Sequence, residues 1–96
     1  MMLVVAYDVD TTNREGAKRL RRVAKLCERY GVRVQNSVFE VLVDPAQLAA
    51  LKAGIQKVIK PELDSVRIYR LGSNYQTKIE VMGRSSPIEA GKPLLI

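Results

Sequence analysis

Asp8 is the residue whose type and position in this sequence are best suited to chemistry. It follows an uninterrupted apolar run, Leu3-Val4-Val5-Ala6-Tyr7, which predicts a central strand with both faces covered. The end of a central strand is a usual position for a functional side chain in open α/β sheets. The alternative is a loop aspartate that hydrogen-bonds its own backbone, and position alone does not separate these two interpretations.

A single aspartate is a poor magnesium site, whereas two Asp8 side chains meeting across a dimer axis would form a better one. A divalent cation would relieve their repulsion, lower the pKa of a bound water and polarise a phosphodiester. The chain has no histidine and one cysteine, Cys27, which excludes Ser-His-Asp and Cys-His nucleophile pairs and histidine-ligated zinc. Any metal ion must then be held by oxygen ligands, which indicates magnesium or manganese. Asp10 is close in sequence and is either a further ligand or a loop residue.

A run of positive side chains follows Asn13. Four of them, Lys18, Arg22, Lys25 and Arg29, recur at steps of four, three and four residues. This spacing places the side chains on one stripe of a helix, where Glu15 and Glu28 are the acidic residues that offset them. The whole chain has 16 Lys and Arg against 10 Asp and Glu, a net charge of +6, which favours a polyanionic partner. Exposed aromatic residues, which single-strand binders use for stacking, are scarce. The pattern favours contact with the backbone of a nucleic-acid duplex over a merely solvated face; the run contains Arg14, Lys18, Arg19, Arg21, Arg22, Lys25 and Arg29.

A third, weaker group is formed by Arg33, Gln35 and Ser37, which alternate with apolar residues. In a strand they would project on one face, beside the strand that ends in Asp8, and supply hydrogen-bond donors to phosphates or bases. The alternative is a plain hairpin whose Phe39 belongs to the core.

The first helix and the strands after it must position these groups. Thr12 and Glu15 have the spacing of a capping box, which predicts a helix start near them. Residues 32–35 and 38–43 are predicted strands, and Asn36-Ser37 is either the turn between them or a bulge in one bent strand. The predicted buried face of the helix contains Ala17, Leu20, Ala24 and Cys27.

A second helix and one or two strands complete the pattern. Asp44 is the predicted cap and Pro45 the first residue of the second helix, which Pro61 ends. Residues 65–71 predict a fourth strand. The alternation in residues 78–82 predicts a short fifth one.

The order β-α-β-β-α-β is that of a ferredoxin-like α+β sandwich, here with a short extra C-terminal strand. Right-handed crossovers would place both helices on one face of an antiparallel sheet. We expect the apolar residues of the other face to be covered by a second copy, which makes a symmetric homodimer.

The domain is predicted to span residues 1–83, followed by a tail over residues 84–96. The tail ends in Leu94-Leu95-Ile96, which either folds back on the dimer, docks on a partner or is a disordered end. No apolar run approaches the length of a membrane span, and Met1 to Ala6 lacks the features of a signal peptide. We therefore expect a cytoplasmic protein with no membrane partner.

The sequence as a whole resembles the CRISPR-associated protein 2 family, the second of the two core CRISPR adaptation proteins. The resemblance is carried by the apolar first strand that ends Tyr7-Asp8 and by the basic first helix. It is also carried by the segments Arg33-Val34-Gln35-x-Ser37-Val38-Phe39-Glu40 and Arg67-Ile68-Tyr69-Arg70-Leu71. It extends over essentially the whole chain.

This resemblance implies a homodimer that takes part in spacer acquisition together with the CRISPR-associated integrase. It also implies a magnesium-dependent endonuclease activity on RNA or double-stranded DNA. By position, Asp8 would be the catalytic and metal-binding residue at the dimer axis, and Tyr7, Ser37 and Phe39 would shape the cleft around it. The backbone of the nucleic acid would be held by Arg14, Lys18, Arg19, Arg22, Lys25 and Arg33.

Two other functions stay open at the level of the sequence. One is a dimeric scaffold of the adaptation complex without catalysis, and the other is a toxin-like ribonuclease of the VapD type. An RNA-recognition module is disfavoured, because neither central strand carries the paired aromatic residues that such modules use for stacking.

Overall fold

The computed structural model describes residues 1–84, which form strands and helices in the predicted order. These elements are β1 (Met2–Asp8), α1 (Arg14–Glu28), β2 (Gly31–Gln35), β3 (Val38–Leu42), α2 (Pro45–Val58) and β4 (Ser65–Gly72), followed by a 3₁₀ turn at Tyr75–Thr77. The predicted tail, with its Leu94-Leu95-Ile96 end, lies outside the described residues except for Arg84.

The four strands form one antiparallel sheet in the order β2-β3-β1-β4. β1 is therefore a central strand, and its Val5 lies opposite Phe39 of β3 and Ile68 of β4. This order and the β-α-β-β-α-β sequence of elements confirm the ferredoxin-like α+β fold. Asn36 and Ser37 form the turn of the β2–β3 hairpin, which decides between the two alternatives left by the sequence.

Both helices cover the same face of the sheet, where the main core lies. Alternation along β1 sends Leu3, Val5 and Tyr7 into this core, and Phe39 and Val41 of β3 meet them there. Each helix contributes its own buried residues, which are Val23, Ala24 and Cys27 from α1 and Leu48, Leu51, Ile55 and Val58 from α2.

The opposite face of the sheet is covered at one end only. Met2, Val32 and Tyr75 form a small second cluster there, which brings the 3₁₀ turn onto the sheet. The large side chain of Tyr69, also on this face, is 48% exposed. An apolar area is thus left without a covering layer within residues 1–84.

The prediction of a short fifth strand at residues 78–82 is wrong for the described chain, because this segment forms no strand. Ile79 packs on the second cluster, whereas Val81 and Met82 are exposed. Alternation indicates a half-buried surface, but a strand also needs a neighbouring edge with which to form hydrogen bonds. Lys78 instead donates from its Nζ to the carbonyl oxygen of Leu71 at 2.8 Å.

The two helix starts differ in how well the sequence predicts them. Asp44 caps α2 as expected, in a capping box with Gln47, and Pro45 is the first helical residue. α1 is capped by Asn13 rather than Thr12, since the Asn13 Oδ1 accepts from the Gly16 N–H at 2.9 Å. The Thr12 N–H is already bonded to the Asp10 carboxylate at 3.0 Å.

Candidate site at the end of the central strand

Asp8 is the last residue of β1 and is exposed. Its position in the ladder is opposite Ser65, the first residue of β4. Because side chains alternate along a strand, Asp8 lies on the face away from the helices. Within residues 1–84, no Lys or Arg forms an ion pair with it, so its carboxylate is available to a ligand.

Tyr7 and Ser37 are brought together by the backbone. The Tyr7 N–H donates to the Ser37 carbonyl oxygen at 3.0 Å, which fixes the β2–β3 turn against the end of β1. Ser37 is half-buried, and this hydrogen bond places its backbone beside the strand end that carries Asp8. The predicted neighbourhood of these three residues is therefore present in the backbone.

The rings of Tyr7 and Phe39 are buried in the main core. Their centroids are 6.1 Å apart with an interplanar angle of 25°, a stacked arrangement. The Tyr7 hydroxyl is buried without a hydrogen-bond partner among the described residues. Burial raises its pKa, an effect that the nearby positive charge of Arg33 partly offsets. Because both rings are buried on the helix-covered side of the sheet, they support the strand end by packing and do not reach a substrate.

Arg33 lies on the edge strand β2, exposed to solvent. Its Cζ is 5.4 Å from the centroid of the Phe39 ring, a distance at which a guanidinium interacts with the ring face. This interaction orients the side chain while leaving it accessible. Arg33 therefore remains suited to binding an anion.

The prediction that Arg19 binds nucleic acid needs correction. Its guanidinium is buried and donates to both carboxylate oxygens of Asp64, from Nε at 2.8 Å and from Nη2 at 3.2 Å. The charge run of α1 suggested an exposed side chain, but Arg19 lies on the buried face of the helix together with Val23 and Cys27. Because it is buried and paired, its side chain is not part of the exposed positive surface of α1.

Asp64 joins three segments around the site, a role that its sequence position did not indicate. It accepts from the backbone N–H of Asp10 at 3.1 Å and of Lys60 at 2.9 Å, besides the bonds from Arg19. Arg19 in turn donates to the Asp10 carbonyl oxygen at 3.3 Å. The loop that follows Asp8 is thus held through both polar groups of the Asp10 backbone.

Asp10 lies in the loop that follows β1. Its carboxylate accepts from the Thr12 N–H, and this hydrogen bond lowers its pKa. Gly16 is required by the same loop, because a Cβ there would lie 1.8 Å from the Asp10 carbonyl oxygen. The loop therefore passes directly over the first turn of α1.

The positive residues of α1 other than Arg19 are exposed as predicted. Lys18 is the only one of these with an acidic partner within residues 1–84, since its Nζ lies 4.0 Å from Glu15. Such an exposed pair contributes little to stability. The charge of the helix surface is consequently available to a polyanion; the predicted contacts on it are Arg14, Lys18, Arg22 and Lys25.

The side chains near Asp8 can be compared with the ligands that a metal ion requires. The described part of the chain contains no group of three or more acidic, Cys or His side chains that could hold a cation. Mg²⁺ is commonly bound by one or two carboxylates, with waters and substrate phosphates as the other ligands. Asp8 is the exposed carboxylate at the strand end, and two Asp8 side chains brought together by two chains would supply the two carboxylates that fit Mg²⁺ or Mn²⁺.

Cys27 is a core residue, as predicted. Burial raises the pKa of its thiol to about 11. The thiolate needed for nucleophilic chemistry is therefore disfavoured at neutral pH.

Among residues 1–84, no helix is both long and apolar enough to cross a membrane.

The fold and the site together define a class of small α+β proteins in which a carboxylate ends the first central strand and the first helix carries positive charge. Within this class, the family model described as CRISPR associated protein Cas2 matches residues 1–79. The chain belongs to the CRISPR-associated Cas2 family, which confirms the resemblance found in its sequence.

Individual relatives agree with this assignment over the whole chain. A relative from Halalkalibacterium halodurans named CRISPR-associated endonuclease Cas2 is 52% identical over 95 residues, which cover 99% of each chain. A relative from Chlorobaculum tepidum named CRISPR-associated endoribonuclease Cas2 is 46% identical over 96 residues and is covered completely, as is this chain. The crystal structure of Streptococcus pyogenes Cas2 at pH 6.5 matches with a TM-score of 0.78 at 51% identity, covering 86% of this chain and 100% of that one.

Proposed function

We propose that this protein acts in CRISPR spacer acquisition as a homodimer that binds duplex DNA and the CRISPR-associated integrase in the cytoplasm. We further propose that it is a metal-dependent endonuclease on RNA or double-stranded DNA. Family membership supports the CRISPR role, and relatives named as endonuclease and endoribonuclease support a nuclease activity. The observation that carries the catalytic part is the exposed Asp8 carboxylate at the end of a central strand.

A second copy of the chain is the proposed cover for the open face of the sheet. This face carries the exposed ring of Tyr69 and the half-buried side chains of Val4 and Ala6. Burying such residues stabilises a dimer by about 25 cal/mol for each Å² of apolar surface removed from water. Asp8 lies on the same face, so a symmetric contact there can bring two Asp8 carboxylates together.

The Asp8 pair is the proposed ligand for Mg²⁺ or Mn²⁺. A bound cation supplies polarisation of the phosphodiester and a lowered pKa of a bound water. The contribution of the protein is to hold Asp8 in place. Tyr7 anchors the strand end through the Ser37 carbonyl, and Asp64 holds the following loop through the Asp10 N–H.

The nucleic-acid backbone is the proposed ligand of the exposed cations of α1 and of Arg33. Lys and Arg neutralise phosphates and release condensed counterions, which makes affinity depend strongly on salt and little on sequence. Arg14, Lys18, Arg22 and Lys25 are exposed along α1, whereas Arg19 is left out of this proposal because of its ion pair with Asp64.

A dimeric scaffold without catalysis is the second candidate. It is favoured by one observation, that residues 1–84 of a single chain provide no cluster of three metal-binding side chains. Family membership favours both of these functions over the toxin-like ribonuclease.

A cleavage assay with matched variants tests the proposal. Native protein, Asp8→Asn and Asp10→Asn are incubated with RNA and with duplex DNA, with and without Mg²⁺. We expect Asp8→Asn to abolish metal-dependent cleavage while the dimer persists in gel filtration. Asp10→Asn makes the same chemical change two residues away and keeps an oxygen for the Thr12 N–H, so it should retain cleavage.

Equal cleavage by Asp8→Asn and native protein would remove Asp8 from the catalytic role. A native dimer that cleaves neither substrate, yet binds duplex DNA and co-purifies with the integrase, would establish the scaffold function instead.

A further inference from the structure

A groove of about 330 Å³ runs between α1 and α2, on the side of the molecule away from Asp8. Four of the residues that line it are cations, namely Arg22 and Lys25 of α1, Arg29 at the C-terminal cap of α1, and Lys57 of α2. The sequence pattern placed the first three on one stripe. The contribution of Lys57 depends on the way in which the two helices pack.

The four cations of the groove have no acidic partner in the described part of the chain. The two ion pairs found in residues 1–84 are Lys18 with Glu15 and Arg19 with Asp64, neither of which involves a groove residue. All four side chains are exposed. Like charges gathered in one concave place repel one another and attract a polyanion, which relieves the repulsion.

The walls of the groove strengthen this attraction. Leu26 and Val58 supply apolar surface between the charged side chains. Gly54 lets the helices approach closely, because a Cβ there would lie 3.1 Å from Leu26 Cδ2. A concave site with apolar walls focuses the electric field of the charges around it.

We propose that this groove binds phosphates of a nucleic-acid backbone and that Lys57 is one of the residues that contact them. The inference rests on the proposed nucleic-acid binding and adds to it a second helix and a defined groove. The groove lies on the helical side and Asp8 on the opposite face of the sheet, so its role is to grip the backbone rather than to cleave it.

The length of the charged stripe favours a continuous backbone over a small free phosphate compound. Arg22 of α1 and Arg29, the helical C-cap residue that follows it, are seven residues apart. This spacing corresponds to about 10 Å along the helix axis at 1.5 Å per residue. A strand of duplex DNA carries a phosphate about every 3.4 Å of its axis, so one bound backbone can present several phosphates to the stripe.

Two lysines of α2 allow a matched test. Lys57 lines the groove, whereas Lys52 is also exposed but lines a different cavity with Ile55 and Ile68. The affinity of native protein, Lys57→Ala, Lys52→Ala and Lys57→Arg for duplex DNA is measured over a range of salt concentrations. Circular dichroism confirms that each variant is folded.

The slope of log affinity against log salt changes by about 0.9 for each phosphate of B-DNA that the protein neutralises. We expect Lys57→Ala to reduce the slope by about this amount, and Lys57→Arg and Lys52→Ala to keep the native slope. An equal reduction by Lys57→Ala and Lys52→Ala would reflect net charge alone and would overturn the inference, as would a native slope for Lys57→Ala.

Two further measurements separate the alternatives. Titration with tripolyphosphate tests a free phosphate compound: if Lys57→Ala abolishes this binding but keeps the native DNA slope, the assignment to nucleic acid is wrong. Arg14→Ala and Lys18→Ala test the proposed function itself. If they lower the DNA slope and Lys57→Ala does not, the groove alone is refuted; if native protein binds no DNA, the proposed function fails.

Discussion

At the residue scale, the site depends on one exposed carboxylate and one buried ion pair. Asp8 is exposed and can bind a ligand, while Arg19 and Asp64 fix the loop that follows it in the chain. A buried ion pair is costly to disrupt by removing one partner, because the other charge is then left unpaired away from water. The pair therefore gives the clearest predictions for single substitutions.

We expect Asp64→Asn to lower the free energy of unfolding by about 3–5 kcal/mol, since it leaves the Arg19 charge buried and turns an amide group toward it. Urea unfolding followed by circular dichroism measures this loss. Glu62→Gln removes an exposed carboxylate from the same loop and should change stability by less than about 0.5 kcal/mol. Similar losses in the two variants would contradict the role assigned to the ion pair.

The same carboxylate predicts a pH dependence. The hydrogen bond from Arg19 is the largest cause that lowers the pKa of Asp64, from an ordinary value of 3.8 to about 2. Between these values the unfolded chain binds more protons than the folded one, so stability rises with pH there. The contribution of Asp64 is fully present above pH 3.8 and is lost as the pH falls through about 2.

Unfolding free energies measured between pH 2 and pH 5 check this sign. The native protein should lose stability on acidification more steeply than Asp64→Asn, which carries no titrating group at this position. Parallel curves for the two proteins would mean that the ion pair does not lower the pKa of Asp64.

At the element scale, the position of Asp8 depends on the start of α1. The loop from Val9 to Asn13 passes so close to the helix that a Cβ on Gly16 would meet the Asp10 carbonyl oxygen at 1.8 Å. A backbone carbonyl cannot move aside as easily as the end of a flexible side chain. This close approach makes the first turn of α1 and the strand end a single unit.

Gly16→Ala should therefore destabilise the protein by about 1–3 kcal/mol, the usual range for overpacking, although alanine favours helix formation. Gly54→Ala is the matched control, because its Cβ would meet the flexible side chain of Leu26 at 3.1 Å. We expect a clearly smaller loss there. Thermal unfolding of the two variants checks the order, and an equal or larger loss for Gly54→Ala would contradict it.

The elements themselves were largely predictable from sequence, because apolar periodicity and capping residues are local signals. Asp8 was placed correctly at the end of a strand, and Asp44 at the start of a helix. The ion pair was not predictable, since Arg19 and Asp64 are 45 residues apart and Arg19 lies within a charge run. The prediction of a fifth strand was wrong for a related reason. Alternation in residues 78–82 does not show whether another strand lies beside them to form hydrogen bonds.

At the scale of the whole molecule, the proposed metal site requires two copies of the chain. The sheet has helices on one face, while the other face keeps Tyr69 exposed and carries Asp8. Within residues 1–84, one chain brings together no group of three or more acidic, Cys or His side chains. Dimerisation and metal binding are thus expected to depend on the same surface.

Tyr69→Asp should weaken the proposed dimer by about a hundredfold or more, because burying an unpaired carboxylate in an interface costs several kcal/mol. Analytical ultracentrifugation over a range of protein concentrations measures the change. Leu63→Asp is the control, since Leu63 is 47% exposed and Tyr69 48%, but Leu63 lies in the loop before β4. A native dimer constant for Tyr69→Asp would show that the open face is not the interface.

The most direct test of the central claim is the stoichiometry of metal binding. Mn²⁺ is titrated into native protein, Asp8→Asn and Asp10→Asn, and free Mn²⁺ is followed by electron paramagnetic resonance. The Asp8 pair predicts one bound Mn²⁺ for every two chains in the native protein and in Asp10→Asn, and none in Asp8→Asn. One Mn²⁺ for each chain, or undiminished binding by Asp8→Asn, would contradict a metal site shared between two Asp8 side chains.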